Sequence, residues 1–126
     1  MNGSFDTEVL ERIDETDEVY IETRRDRGSP EHRTIIWAVV VDGEVFVRSV
    51  RGNKGRWYRE ISSNPQGALH VGEDRIPVLA SPANDGAIID AVSEAYRAKY
   101  EESLPGPTAA MVRPDVLPTT LKLSPA

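Results

Sequence analysis

The residues with the clearest capacity for chemistry lie in the segment RSVRGNKGRWYRE, at positions 48–60. This segment combines five basic side chains with two glycines and two adjacent aromatic residues, in a chain whose net charge is −6. Basic side chains beside glycine-bearing backbone favour anion binding, because glycine lets backbone N–H groups come close to a phosphate. We interpret the segment as a candidate phosphate site, with a merely solvated basic loop as the alternative.

The spacing of these residues separates the segment from two well-known phosphate motifs. Neither the pattern GxxxxGK[ST] nor the dinucleotide pattern GxGxxG occurs in it. A second basic cluster, RRDRGSPEHR, occupies positions 24–33. The fold can bring the two clusters together, and their combined charge would then act on one ligand.

Other kinds of catalytic site have little support in the sequence. Cysteine is absent, which excludes disulfides and thiolate chemistry. His32 and His70 do not have the spacing of metal ligands, and no GxSxG motif marks a serine nucleophile. If the protein is an enzyme, we expect its reactivity to come from a bound cofactor.

Three aromatic residues have two interpretations each. Trp57 and Tyr58 open a predicted short helix, and Trp37 lies in an apolar strand. Each tryptophan can be an ordinary core residue, or it can border a flat apolar slot for a planar ring. The sequence leaves both interpretations open.

The elements that must position these residues are predicted from hydrophobic spacing. Helical periodicity indicates a helix over 5–14, and alternation indicates a strand over 18–25. The pair Asp42–Gly43 predicts a tight turn between hairpin strands at 33–41 and 44–50. Because the first of these strands is apolar at every position from 35 to 41, we expect both of its faces to be covered, as in a small barrel.

The remaining elements complete an α+β domain on an antiparallel barrel, which we predict to be a single domain over 1–126. A short helix carries Trp57 and Ile61 and ends before Pro65. Two strands follow around a turn at 72–74, then a helix over 86–102 and a final strand, TTLKL. No segment has the pattern of a secretion signal or a membrane span, so the expected location is cytoplasmic.

The stretch HRTIIWAVVVDGEVFVRSVRGNKGRWYREISSNPQGALHVG resembles the flavin-binding split-barrel superfamily, the pyridoxamine phosphate oxidase-like proteins. It looks closest to the deazaflavin-dependent nitroreductase branch and to an adjoining uncharacterised bacterial family. The residues at matching places are Arg33, Asp42, Gly43, Arg48, Ser49, Gly52, Trp57, Tyr58, Asn64 and Pro65. The resemblance implies an antiparallel split β-barrel with N-terminal, central short and C-terminal helices.

The resemblance also implies a ligand and a site. FMN or the deazaflavin coenzyme would lie along the barrel strands, with Trp37 and Trp57 near its ring. The residues implied to hold the phosphate and ribityl chain are Arg33, Thr34, Arg48, Ser49, Arg51, Gly52 and Lys54.

The function implied is an oxidoreductase that transfers hydride to a small organic acceptor, and the resemblance allows a homodimer. The alternative is a non-catalytic module that binds a flavin or another phosphorylated ligand. Contact with a membrane is not expected. Nucleic-acid binding through the arginines is disfavoured by the net negative charge, and we expect none.

Overall fold

The computed structural model describes residues 4–126 and contains four α-helices and seven strands in that part of the chain. The helices are α1 (Thr7–Glu15), α2 (Arg56–Ser63), α3 (Gly86–Tyr100) and α4 (Pro105–Met111). The strands are β1 (Val19–Thr23), β2 (His32–Ile36), β3 (Ala38–Val41), β4 (Glu44–Val47), β5 (Gln66–Val71), β6 (Asp74–Pro82) and β7 (Leu121–Pro125). Short 3-10 turns cover Gly52–Lys54 and Leu117–Thr119.

The seven strands form one antiparallel sheet in the order β2-β1-β5-β6-β7-β4-β3. The strands β2 and β3 lie at opposite edges of this order, yet a single residue, Trp37, separates them in the chain. The two edges must therefore meet at Trp37, which requires the sheet to curl into a split barrel. This confirms the predicted fold class.

The predicted hairpin is correct at its turn and wrong along its first strand. Asp42 and Gly43 both have positive φ, at 51° and 78°, as the tight hairpin turn requires. The predicted strand over 33–41 divides at Trp37, because its first half pairs with β1 and its second half pairs with β4. The prediction that both faces are covered fails at Ile35, which is 50% exposed.

The barrel interior is the main hydrophobic core. Apolar side chains from all seven strands fill it. Phe5, Ile13 of α1, and Trp57 and Ile61 of α2 belong to the same buried cluster. A second core lies outside the barrel, where Val92, Tyr96 and other residues of α3 and α4 cover the outer face of β3 and β4. The helices thus fix both the inside of the barrel and one part of its outside.

The helix α4 was not predicted from the sequence, because Pro105 and Pro107 were interpreted as the end of the preceding helix. The helix α3 ends at Tyr100, ahead of both prolines, and because proline is favoured in the first turn of a helix, a new helix begins at Pro105. The other predicted elements are present, with ends that coincide with the prediction or differ from it by up to three residues. No helix in the described residues has the length and apolar character needed to cross a membrane.

Candidate functional site

A groove lies where the two edges of the sheet meet, and it has two adjoining parts. The first part, here called the apolar slot, has a volume of about 240 Å³. It takes side chains from β2, the end of β4, α2 and α4. Its lining residues are Glu18, Ile35, Ile36, Trp37, Arg48, Val50, Trp57, Pro107 and Met111.

The second part, here called the basic end, has a volume of about 380 Å³. It shares Ile35, Val50 and Trp57 with the apolar slot, so the two parts adjoin. Its other lining residues carry hydroxyl, guanidinium or bare backbone groups. They are Thr34, Ser49, Arg51, Gly55 and Arg56.

The start of α2 opens into the basic end. Gly55 is the N-cap residue of this helix, and no side chain caps the first-turn N–H groups. A Cβ at Gly55 would lie 2.6 Å from Ser49 Oγ, so the close packing of the loop on Ser49 needs glycine there. Ser49 Oγ itself donates to the Gly52 carbonyl at 2.7 Å, and Gly52 has φ 65°. The N–H groups of Gly52, Lys54 and Gly55 donate to carbonyls within the loop, so the donors left for a ligand are those of the first turn of α2, at the positive end of the helix dipole.

The cations around the basic end are largely free of protein counter-charges. Among residues 4–126, Arg51, Lys54 and Arg56 make no ion pair with a carboxylate. Lys54 lies in the turn before α2 but does not line the groove. Arg33 is exposed beside Thr34 and is paired with Glu31, at 2.7 Å from its Nε. The groove thus has a positive end in a protein that is acidic as a whole.

Arg48 lies in the protein interior, at 1% exposure. Its Nε donates to Thr120 Oγ1 at 2.9 Å, and its Nη1 donates to Ser93 Oγ at 2.9 Å and to the Met111 carbonyl at 3.2 Å. Its Nη2 donates to the Ile89 carbonyl at 2.8 Å. All of these acceptors are uncharged, and burial lowers the pKa of the guanidinium.

The bonding of Arg48 bears on its predicted role in holding a phosphate. Four of the five guanidinium N–H groups are already used to connect the end of β4 to α3, to α4 and to the residue before β7. We therefore assign Arg48 a positioning role behind the apolar slot. The phosphate contacts proposed below do not include it.

The two tryptophans border the slot and also belong to packed clusters. Trp37 stacks on Tyr100 with ring centroids 3.9 Å apart and planes 7° from parallel. Trp57 is 6% exposed and packs in the barrel core, while part of its surface lines both halves of the groove. Core packing and a place at the groove are thus compatible for both residues, and each is held rigidly by its neighbours.

The structure also brings residues to the groove that the predicted set does not contain. Gly55 and Arg56 come from the start of α2, and they could have been identified because they lie within the basic, glycine-bearing segment at 48–60. Ile35 and Val50 are exposed apolar residues with no distinguishing local signal. Pro107 and Met111 belong to the helix missed in the sequence. Of the predicted set, Arg33, Gly52 and Lys54 lie beside the groove without lining it.

The histidines are engaged away from the groove. His32 contacts Glu60, and His70 contacts Glu22, at 3.0 Å and 2.8 Å between ring nitrogen and carboxylate oxygen. Within the described residues, no group of three or more histidine, cysteine or acidic side chains has an arrangement that could hold a metal ion.

Solved structures with the same fold belong to proteins with several different described roles. The heme storage protein HutZ from Vibrio cholerae matches with a TM-score of 0.68 at 16% identity, over 98% of this chain and 91% of that chain. An F420-H2-dependent reductase, FDR-A, matches with a TM-score of 0.64 at 14% identity, over 86% of this chain and 93% of that chain. A structure described as a domain-swapped dimer matches with a TM-score of 0.62 at 13% identity, over 86% and 79%.

These matches show that the chain shares its fold with these proteins, in agreement with the split barrel that the sequence resemblance implied. At identities of 13–16% they do so without assigning a ligand. No curated protein matches the sequence at a significant level. A family model described as an uncharacterised protein conserved in bacteria matches residues 9–123.

Proposed function

The chain belongs to DUF2255, a bacterial family of uncharacterised proteins, and we propose that it binds FMN or the deazaflavin coenzyme in the groove. The observation that carries the proposal is the junction of the apolar slot with the basic end. A flavin-type cofactor has the same sequence of parts, since a planar ring is joined through a polar chain to a phosphate. Nucleotides have the same order of parts, and the resemblance of the sequence to flavin-binding proteins is what favours a flavin-type cofactor among them.

In this proposal the phosphate lies at the basic end. The first-turn N–H groups of α2 donate to it, and Arg51 and Arg56 supply positive charge. The hydroxyl of Thr34 is available to the ribityl chain or the phosphate, whereas the hydroxyl of Ser49 is buried and already donates to the Gly52 carbonyl. Lys54 adds charge from the rim.

Gly52 and Arg33 of the predicted set do not line the groove, and in this proposal they contribute indirectly. Gly52 provides the positive φ that the loop needs before α2. Arg33 flanks Thr34 and is available only in competition with Glu31.

The ring would lie in the apolar slot between the borders formed by Trp37 and Trp57. Apolar walls exclude water from the ring, and the rigid packing of both tryptophans orients it. A bound flavin or deazaflavin supplies hydride-transfer chemistry. The role of this chain is to bind and orient that group and to leave room for a small organic acceptor.

The alternative is that the protein holds such a ligand without turnover. The two functions differ in one measurable respect, because an oxidoreductase passes hydride from the bound reduced cofactor to an acceptor faster than the free reduced cofactor does, and a carrier does not. Stopped-flow absorbance of the reduced complex, with and without nitroaromatic or quinone acceptors, separates them.

The groove favours a flavin over heme. The most common protein ligand of heme iron is histidine, and no histidine is among the described residues that line either part of the groove. Both histidines of the chain are bonded to carboxylates elsewhere.

We also propose a homodimer. The outer face of β1, β2, β5 and β6 exposes Tyr20, Ile35 and Leu79, at 45%, 50% and 44%. Cross-strand partners in an antiparallel sheet lie on one face, and the register places these three side chains on the same face. Ile35 also lines the groove. A second copy seated there would cover these three side chains and the mouth of the ligand site together.

The experiment that tests the ligand proposal is a fluorescence titration of the protein with FMN and with the deazaflavin coenzyme. We expect micromolar binding of at least one of them, weakened about tenfold by Arg51→Ala, because a charge-assisted contact to phosphate is lost. Lys54→Ala should weaken binding less, since its side chain lies at the rim.

Arg97→Ala is the matched control, because Arg97 is an arginine of α3 that is paired with Glu94 and lines neither part of the groove. It should leave the affinity unchanged. The proposal fails if neither cofactor binds, or if Arg51→Ala binds as tightly as the control.

A further inference from the structure

A second basic cleft lies on the other side of the start of α2, with a volume of about 260 Å³. The residues that line this arginine cleft are Arg25, Arg56, Arg59, Glu60 and Ser63. The last four have the spacing i, i+3, i+4 and i+7, which places them along one side of α2. Arg25 comes from the segment after β1, so the cleft joins the two basic clusters of the sequence.

The arginines of this cleft are not matched by protein carboxylates. Among the described residues, Arg56 and Arg59 form no ion pair. Arg25 has a 3.5 Å contact with its neighbour Asp26, and both side chains are mostly exposed. The chain has 21 acidic and 15 basic residues, so unpaired arginines grouped together are not a consequence of composition. Like charges at this spacing are unfavourable without a counter-ion.

The one acidic residue that lines the cleft is held by other partners. Glu60 Oε1 accepts from the Thr23 hydroxyl at 2.7 Å, and Glu60 Oε2 is 3.0 Å from His32 Nδ1. Burial acts to raise the pKa of this carboxyl, but the hydrogen bonds from Thr23 and His32, together with the positive charges of His32 and Arg56, outweigh it and lower the pKa. Glu60 is 8% exposed. Its charge is therefore held mainly by Thr23 and His32; it attracts Arg56 without forming an ion pair, and Arg25 and Arg59 keep their charge in the cleft.

We propose that the arginine cleft is a second anion site, which takes a phosphate-class group between Arg25, Arg56 and Arg59. The hydroxyl of Ser63 is a further donor at the end of the cleft. Three guanidinium groups provide planar forks of N–H donors that match tetrahedral oxyanions. This site depends on its own residues and does not require that a ring occupy the apolar slot.

Arg56 lines both the arginine cleft and the basic end of the groove. The anion can therefore have two sources. It can be a free small phosphate, or it can be the second charged group of one ligand whose first phosphate lies at the basic end. Both sources have the same chemistry at the cleft.

The first test is calorimetric titration with inorganic pyrophosphate alone. We expect wild-type protein to bind it in the millimolar range or tighter, and we expect Arg59→Ala and Arg25→Ala each to weaken binding about tenfold. The matched control Arg97→Ala, which removes the same charge from α3, should have no effect beyond general electrostatics. Circular dichroism and thermal melting establish that each variant is folded.

The proposal is overturned if wild-type protein does not bind pyrophosphate, or if the two cleft variants bind it as the control does. A variant that fails to fold is replaced by Arg59→Gln, which keeps a long polar side chain and removes the charge. Equal binding by that variant and wild type also overturns the proposal.

The second test separates the two sources and compares FMN with FAD, which carries a second phosphate. If one ligand spans both sites, Arg59→Ala weakens FAD about tenfold and leaves FMN unchanged, while Arg51→Ala weakens both. If the anion is a separate molecule, Arg59→Ala weakens pyrophosphate and leaves both flavins unchanged. If neither flavin binds while pyrophosphate still depends on Arg59, the proposed function fails and the anion site stands.

Discussion

At the scale of single residues, identical side chains only three positions apart have different roles. Arg48 is buried and bonded to four protein acceptors, whereas Arg51 is exposed and lines the basic end. Phe46 and Arg48 are two positions apart, so both point to the outer face of the sheet that α3 and α4 cover. Arg51 lies beyond the strand, in the loop, where it stays in solvent.

We predict that Arg48→Met lowers the free energy of unfolding by about 2–4 kcal/mol. The substitution leaves two buried hydroxyls and two carbonyls without the donor that they have in the native fold. Urea denaturation followed by tryptophan fluorescence measures the change. Arg51→Ala should leave stability within about 0.5 kcal/mol and act on ligand affinity alone.

Measurements of both stability and FMN affinity on Arg48→Met also decide the role of Arg48. A stable Arg48→Met protein that has lost FMN affinity would contradict the positioning role and return Arg48 to the phosphate site. A destabilised protein that still binds FMN when folded would agree with the role assigned here.

At the scale of elements, one buried carboxylate connects three strands. Glu22 of β1 is 4% exposed and contacts His70 Nε2 of β5 at 2.8 Å. Arg75 of β6 donates to both oxygens of Glu22, at 3.0 Å from Nε and 2.9 Å from Nη2. The bonds from Arg75 lower the pKa of Glu22 to about 2, assisted by His70 and opposed by burial.

This pKa predicts an acid-sensitive contribution to stability. Because the folded pKa of about 2 is below the ordinary value of 4.5, the stabilisation is present above pH 4.5 and is lost as the pH falls towards 2. We expect Glu22 to contribute up to about 3 kcal/mol at neutral pH. Urea denaturation between pH 7 and pH 3 should give a slope that Glu22→Gln reduces.

Glu44→Gln is the matched control, because the ion pair of Glu44 with Lys122 is between two side chains that are each 38% exposed. Its pH slope should equal that of wild type. An unchanged slope in Glu22→Gln would contradict the assignment of the acid-sensitive term to this network.

At the scale of the whole molecule, the curled sheet is covered by helices only in part. The helices α3 and α4 cover the outer face of β3 and β4, and α1 and α2 contribute to the barrel interior. The outer face at β1, β2, β5 and β6 retains the exposed apolar side chains on which the homodimer proposal rests.

We predict that the wild-type protein is dimeric in sedimentation velocity experiments and that Leu79→Glu shifts it towards monomer. A charge on the apolar face would be buried without a partner in the dimer, which is unfavourable. The matched control is Leu104→Glu, because Leu104 is exposed to a similar degree, at 41%, and lies before α4. The proposal is contradicted if the wild type is monomeric, or if both variants behave alike.

Local sequence patterns were sufficient for most elements and for one part of the site. The turn at Asp42–Gly43, the helical spacing of Val92 and Tyr96, and the basic segment before α2 were all identifiable from short stretches. These features depend on backbone geometry and on side-chain periodicity within a few residues. The resemblance supplied the split barrel itself, which the curled sheet and the structural matches confirm.

The sequence by itself therefore determined the turns, the amphipathic elements and the presence of concentrated positive charge. Only the tertiary structure decided that the apolar strand divides at Trp37, that Arg48 is buried, and that Arg25 joins Arg59 across a cleft. Each of these outcomes depends on contacts between residues far apart in the chain. Strand pairing, burial and charge grouping are fixed by which distant partners the closing barrel brings together, and no short stretch of sequence contains that information.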